Sequence, residues 1–283
     1  SIIKSLIFLK KNKIEVLIST GGYMSLPLCL TAKILSIKIY LFEPNMVLGR
    51  ANSIFLRYAK KIFCYSNEII NFPKRHLSKI LLIDSLLRKE FYSITRNEKN
   101  EINDEINLLV VGGSQGAELF DNKLKKPIIS LSKKYKLNIY QQTNPINKKN
   151  LEDFYNQNNI SCKLFNFEEN ISKFISNANL CITRAGASTL AELTFLNIPY
   201  LSIPYPLAKD DHQFQNALFY KNKNCCWILK QDDLNEGVLE NNLINIIQNK
   251  HDYLSKKMSM RSFSFKNTWN NTNQKLISVI NEN

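Results

Sequence analysis

The stretch 106–116, INLLVVGGSQG, constrains this chain more than any other. An apolar run broken only by Asn107 ends directly in Gly112-Gly113, and helix-period residues follow over 117–133. A near-continuous apolar run that stops at a glycine turn and gives way to a helix predicts a strand buried on both faces in a parallel α/β sheet. The pattern recurs along the whole chain. Before it come IEVLIST and a helix over 24–36, IKIYLFE and a helix over 48–59, then KIFCYS. After it come LNIYQQT, a helix near 148–158, CKLFNF, a short helix near 170–176 and NLCIT, then PYLSIPY, a helix from Asp211, CCWIL and helices to the end. A polar, charged stretch at 93–105 interrupts the alternation and reads as an interdomain linker. The fold class is therefore α/β, with two Rossmann-like units in series, and ligands are expected at the carboxyl ends of the strands.

Composition narrows the function classes. A net charge of +14 suits nucleic acid, an anionic membrane surface or phosphorylated ligands, and equally the compositional drift of a chain rich in Lys, Asn and Ile. The basic residues are dispersed and no nucleic-acid-binding motif is present, so no nucleic-acid partner is expected. The six cysteines have no metal-type spacing and mostly sit in strand-like runs, as reduced core residues of a cytosolic protein do. No run is apolar and long enough for a membrane-spanning helix. The opening SIIKSLIFLKKNK lacks the charge order and cleavage site of a signal peptide, and reads as the tail of a helix in a chain whose beginning is missing.

The turns at strand ends carry the candidate chemistry. Gly112, Gly113, Ser114, Gln115 and Gly116 would bring backbone N–H groups close to a phosphate, although a plain connection also uses glycines. Gly21 and Gly22 in TGGYMSLP repeat the device in the first unit. In TRAGASTLAEL, small residues separate a strand from a helix, either as an anion-binding turn or as an ordinary link. Glu192, one turn beyond, is placed to bridge two adjacent hydroxyls or to stand as a solvated surface charge. Glu43 and Asn45 end the second strand in FEPNMVLGRAN, where Asn45 serves a ligand or an Asx turn. Asp210 or Asp211 reads first as a helix N-cap, with His212 and Gln213 in the first turn behind it.

In combination, STGGYMSLP, FEPN…GRAN, LLVVGGSQGAELFDN, TRAGASTLAEL and AKDDHQFQNA resemble, in this order and at these intervals, the MurG family of bacterial glycosyltransferases. The resemblance runs from about Ile14 to the C-terminal helix and is least specific over 74–105. It implies a GT-B architecture of two Rossmann-like domains with a cleft between them. Residues 1–92 would be a partial acceptor and membrane-side domain, 93–105 a linker, 106–266 the UDP-GlcNAc-binding domain, and 267–283 a helix packing back on the first domain. It implies transfer of N-acetylglucosamine from UDP-GlcNAc to lipid I, giving lipid II for peptidoglycan, with inversion and with neither cofactor nor metal. The implied partners are UDP-GlcNAc, lipid I and the inner face of the cytoplasmic membrane, to which SIIKSLIFLKK and FLRYAKKIF would offer apolar and basic residues.

By the same resemblance Ser114 lies near the diphosphate, and Ala187, Ser188, Thr189, Leu190, Ala191 and Glu192 form the donor loop and helix start, with Glu192 on the ribose. Gln213 meets the GlcNAc, Asn45 matches the asparagine of the family's HEQN motif, and Arg88 in SLLRKEF corresponds loosely to the arginine of NPxR. The backbone at Glu168 matches the segment that reads the uracil edge. The family's GGTGGH loop, with its general-base histidine, has no counterpart in these residues. The chain is thus expected to be a fragment of a longer enzyme or a product without its base, weakly binding donor and turning over little. The alternatives are a non-catalytic nucleotide-sugar-binding scaffold and a GT-B transferase with another acceptor.

Overall fold

The computed structural model describes residues 1–94, 102–168 and 171–282, and at 114–116 and 236 the backbone alone. The chain forms two compact units, residues 1–86 with 266–283, and residues 87–265.

The first unit contains α1 (Ile2–Lys11), β1 (Val16–Ser19), α2 (Ser25–Ile34), β2 (Lys38–Glu43), α3 (Arg50–Phe55), β3 (Ile62–Cys64) and β4 (Ile80–Leu82). Its four strands are parallel in the order β1-β2-β3-β4. The fourth strand, within a stretch whose sequence shows little pattern, was not expected from the sequence. The chain returns to this unit at its end. The C-terminal helix Trp269–Glu282 lays Leu276, Val279 and Ile280 against Tyr40, Phe63 and Ile83. Asn267 Nδ2 donates to Ser85 O at 2.9 Å beside it.

The second unit contains α4 (Lys89–Ser93), β5 (Glu105–Val111), α5 (Gly113–Lys123), α6 (Lys125–Ser132), β6 (Lys136–Gln142), α7 (Lys148–Gln157), β7 (Ser161–Phe165), α8 (Ile171–Asn177), β8 (Leu180–Thr183), α9 (Ala187–Phe195), β9 (Tyr200–Ser202), α10 (His212–Asn222), β10 (Cys226–Ile228), α11 (Glu236–Gln248) and α12 (Lys250–Ser264). The sheet is parallel, ordered β10-β9-β8-β5-β6-β7. Alternation along β5 feeds both faces. Ile106, Leu108 and Val110 join Phe120, Leu124 and Leu243 on one side, while Leu109 and Val111 join Leu190, Leu193 and Phe91 on the other. That double burial is why the strand reads as one apolar run.

Two local differences from the sequence reading have simple causes. The expected helix 117–133 starts earlier, at Gly113, and is split at Leu124, so the glycine turn is the first turn of α5 itself. The expected helix 48–59 is only Arg50–Phe55, because Lys79 Nζ donates to the carbonyls of Leu56, Arg57 and Ala59 and ends it. Most of the expected linker 93–105 lies outside the described residues, but Glu105 already belongs to β5, and Phe91 of α4 is fully buried in the second unit. In this glycine-poor chain, Asn159, Asn197 and Asn224 take the left-handed conformation just beyond α7, α9 and α10. Asparagine tolerates that region better than other residues with a β-carbon, so it does the capping work usually given to glycine.

The six cysteines are free, and all but the half-buried Cys162 are buried. Burial pushes the thiols of Cys64, Cys225 and Cys226 up to about 12, which keeps them protonated and unreactive. No described helix is long and apolar enough to cross a membrane.

Candidate active site

In the second unit, strand ends and helix starts converge. β5 runs into α5 through Gly112 (φ −93°) and Gly113 (φ +64°). Only the second needs glycine for its conformation. Gly112 caps α5 without a side chain, so the first-turn amides have no side-chain oxygen from the cap to receive them. The Gly113 N–H is already engaged, donating to Gln142 Oε1 at 2.8 Å. Ser114, Gln115 and Gly116 lie in this first turn, and beyond their backbone they fall outside the described residues.

β8 ends at Thr183, and α9 begins at Ala187 behind a second glycine cap, Gly186. The turn between them is braced from α10. Gln213 Oε1 accepts from the backbone N–H of Ala185 at 3.3 Å and of Tyr205 at 3.0 Å, and Asn216 Nδ2 donates to Ala185 O at 3.1 Å. Gln213 therefore spends its oxygen on two loop amides, leaving its amide NH2 as the end available to a ligand. His212 Nδ1 lies 2.8 Å from Lys209 O. Asp211 occupies the cap position of α10 in a left-handed conformation and makes no side-chain cap bond, so the expected N-cap role is absent.

The candidates in α9 divide by burial. Ser188 is exposed, Ala187 and Thr189 are half-buried, and Leu190 and Ala191 are packed in the core. The side chains of Leu190 and Ala191 thus belong to the fold, and a ligand would meet the start of this helix at its backbone. Glu192 is not a solvated surface charge: it is 7% exposed, and Arg88 Nε donates to its Oε1 at 3.0 Å. Burial pushes its carboxyl above the ordinary range, and the Arg88 guanidinium pulls it part of the way back. Arg88 also lies 3.5 Å from Glu90 and over the Phe91 ring. A buried carboxylate held by one cation at the solvent edge is poised to accept from sugar hydroxyls.

Arg184, overlooked in the sequence although it stands in TRAGAST, is a bracket. Its Nη1 donates to Ile203 O and Pro204 O, and its Nη2 to Gln231 Oε1 at 2.6 Å. Desolvation lowers its pKa to about 10. The basic residue after an apolar strand was the available signal. At the end of β7, Phe167 is 78% exposed and Glu168 is half-buried.

The first unit places its candidates on two loops, after β1 and after β2. Glu43 is 3% exposed and collects donors from its own surroundings. Its Oε1 accepts from Asn45 N–H (3.2 Å) and Asn45 Nδ2 (3.0 Å), and its Oε2 from Gly49 N–H (2.8 Å) and Asn52 Nδ2 (2.9 Å). Asn45 thus forms an Asx-like link within the loop through Glu43. Gly21 (φ +81°) and Gly22 (φ +79°) lead from β1 to α2, and a β-carbon on Gly21 would stand 3.3 Å from Asn52 Nδ2. The buried Asn52 Oδ1 has no partner among the described residues. Among those residues no group of His, Cys, Asp and Glu is arranged to hold a metal ion.

Two parallel α/β units with uncapped helix starts at their strand ends define a nucleotide-binding fold of the GT-B type. The family model "Glycosyltransferase family 28 C-terminal domain" matches residues 107–272, and "Glycosyltransferase family 28 N-terminal domain" matches 1–64. The chain is 58% identical over 282 residues to the UDP-N-acetylglucosamine--N-acetylmuramyl-(pentapeptide) pyrophosphoryl-undecaprenol N-acetylglucosamine transferase of Pelagibacter ubique, covering 100% of this chain and 79% of that one. It is 33% identical to the Rickettsia felis enzyme of the same name, over 88% of this chain and 72% of that one. Among solved structures, Acinetobacter baumannii MurG matches with a TM-score of 0.76 at 25% identity, over 100% of this chain and 79% of that one. The Neisseria meningitidis UDP-GlcNAc 2-epimerase bound to UDP-GlcNAc shares the fold, with a TM-score of 0.66 at 12% identity, over 100% of this chain and 80% of that one. The chain belongs to glycosyltransferase family 28 and, within it, to the MurG N-acetylglucosaminyltransferases.

Proposed function

We propose that this protein transfers N-acetylglucosamine from UDP-GlcNAc to the muramoyl 4-hydroxyl of lipid I, forming lipid II. The observation that carries the donor half is Glu192, buried in α9 yet held by a single exposed-edge cation, beside a helix start without a side-chain cap. Its carboxylate would accept from both ribose hydroxyls, while the first-turn amides of α9 and α5 face the diphosphate, with Ser114 beside it. The Gln213 amide would donate to the GlcNAc, and the backbone at Glu168 would read the uracil edge. Arg88 would hold Glu192 and share its charge with the diphosphate. Asn45 and the Gly21-Gly22 turn would face the acceptor.

In the reaction the acceptor hydroxyl oxygen bonds to C1 of the sugar as the C1–O bond to the diphosphate breaks. UDP leaves with the bonding pair, and the hydroxyl proton passes to a base. Attack opposite the leaving group gives inversion. The leaving diphosphate gains charge, and preorganised amides and helix dipoles stabilise that charge without reorganising. The acceptor is lipid-linked, so the protein would work at the inner face of the cytoplasmic membrane, in cell-wall growth, shape and division. Calorimetry with UDP-GlcNAc and UDP-glucose, on the wild type and Glu192→Ala, tests the reading. Binding that prefers GlcNAc and is lost in the variant is expected. No binding, or binding indifferent to Glu192, would sink it.

A further inference from the structure

The end of β6 faces two ways. On one side Gln141 Nε2 and Thr143 Oγ1 both donate to the buried carboxylate of Asp121 in α5, at 2.9 Å each, and Asn144 N–H and Asn147 Nδ2 add bonds of 3.1 Å. Asp121 is 2% exposed, so this cluster fixes α5 against β6. On the other side stands Gln142, half-buried, with both ends of its amide in use. Its Oε1 accepts from Gly113 N–H at 2.8 Å, and its Nε2 donates to Asn166 O at 3.0 Å. One side chain on the middle strand therefore ties the turn after β5 to the turn after β7.

We propose that Gln142 is a positioning residue that sets the distance between the two ends of a nucleoside diphosphate. The inference rests on the proposed donor site and adds a residue to it. Strands β5 and β7 are separated by β6 alone, and at about 4.8 Å per strand the two turns stand about 10 Å apart. That span fits a ligand with its diphosphate at the α5 start and its base at the loop bearing the exposed Phe167. The Gly113 N–H is occupied by Gln142, so this amide does not serve the phosphate directly. Its bond instead braces the left-handed glycine that opens α5. Because the same side chain grips Asn166, the two half-sites are preset together, and a ligand that spans them does not have to order one against the other.

The test is Gln142→Leu in the full chain, which keeps the size of the side chain and removes both hydrogen bonds. UDP, uridine and inorganic pyrophosphate are the probes, with amide exchange followed at Gly113 and Phe167. UDP affinity should fall about tenfold, the equivalent of one to two lost hydrogen bonds. Uridine and pyrophosphate, each touching one half-site, should lose less than about twofold, and the melting temperature should hardly move. Exchange at both amides should quicken together. An equal loss for all three probes with a fall in melting temperature would mark Gln142 as merely structural and overturn the proposal. Unchanged UDP affinity would overturn it too. Failure of UDP to bind the wild-type chain would overturn the donor-site reading and with it the assigned ligand, while the exchange data would still decide whether the tether exists.

Discussion

Each unit buries a glutamate at the carboxyl end of its sheet or one helical turn beyond it, and the two are held in opposite ways. Glu43, in the first unit, accepts from neutral donors, Asn45 and Gly49 of the loop after β2 and Asn52 of α3. Glu192, in the second, meets the guanidinium of Arg88, whose side chain is 43% exposed. The four bonds to Glu43 use up its two oxygens. They fix the loop that carries Asn45, and leave the carboxylate no capacity for a ligand. Glu192 has one cation on one oxygen and stands next to uncapped helix amides. Burial alone therefore does not mark a binding residue. What distinguishes the two is where the partners come from, neutral groups close by in the chain or a half-exposed cation from a distant segment.

The sharpest way to break this contrast is to delete each carboxylate in turn. Glu43→Ala takes the shared acceptor from Asn45, Gly49 and the buried Asn52 amide and should cost about 3 kcal/mol of stability in urea unfolding. UDP affinity, a property of the other unit, should stay the same. Glu192→Gln should do the reverse: stability within about 1 kcal/mol of wild type, since a neutral isostere also escapes the desolvation of a charge. UDP affinity should fall at least about tenfold, as charge-assisted bonds to hydroxyls weaken. A large stability loss in Glu192→Gln would place both residues in one structural class.

A pH series sharpens the same point. The folded carboxyl of Glu192 titrates above its ordinary value because of burial, so the folded state binds that proton more tightly than the unfolded one. Its contribution to stability therefore declines as pH rises from the ordinary carboxylate range through the raised value, and is flat above it. Nucleotide binding that needs the ionised form runs the other way, weakening as pH drops through the raised value. Arg88→Gln removes the opposing cation, raises the carboxyl further and should move the loss of UDP affinity to higher pH. An unshifted profile would mean that Arg88 does not govern Glu192.

The smallest expected effects separate the two glycine turns. Gly21→Ala meets both a left-handed φ and the Asn52 amide at 3.3 Å, whereas at Gly113 a β-carbon would find no atom within 4 Å. Gly113→Ala should cost about 1 kcal/mol from backbone conformation alone, and Gly21→Ala about 1 kcal/mol more, as its neighbour has to give way. Equal melting temperatures would show that Asn52 moves aside freely.

Much of this was legible in the sequence, for physical reasons. Strands buried on both faces must be apolar throughout, so β5, β8 and the glycine turns behind them stood out. β4 did not, because it is only three residues long and those residues are only partly covered. The candidate list reached Glu192, Gln213 and Arg88, but their partners were invisible, since the Arg88–Glu192 pair joins residues far apart in the chain. Leu190 and Ala191 lie in the segment singled out from the sequence, yet helical geometry turns them into the core. Arg184 and Gln142 were missed because polar residues at a strand end give no periodic signal. Only the fold shows which carbonyls and amides it can reach.

The most direct test of the central claim, that the second unit carries a preformed donor site built around Glu192, is calorimetric titration of the wild-type chain and Glu192→Gln with UDP-GlcNAc. The account predicts saturable one-to-one binding by the wild type and a loss of about tenfold or more in a variant that melts as cooperatively as the parent. Equal affinity in the two proteins, or no binding by a wild-type chain that unfolds cooperatively, would contradict it.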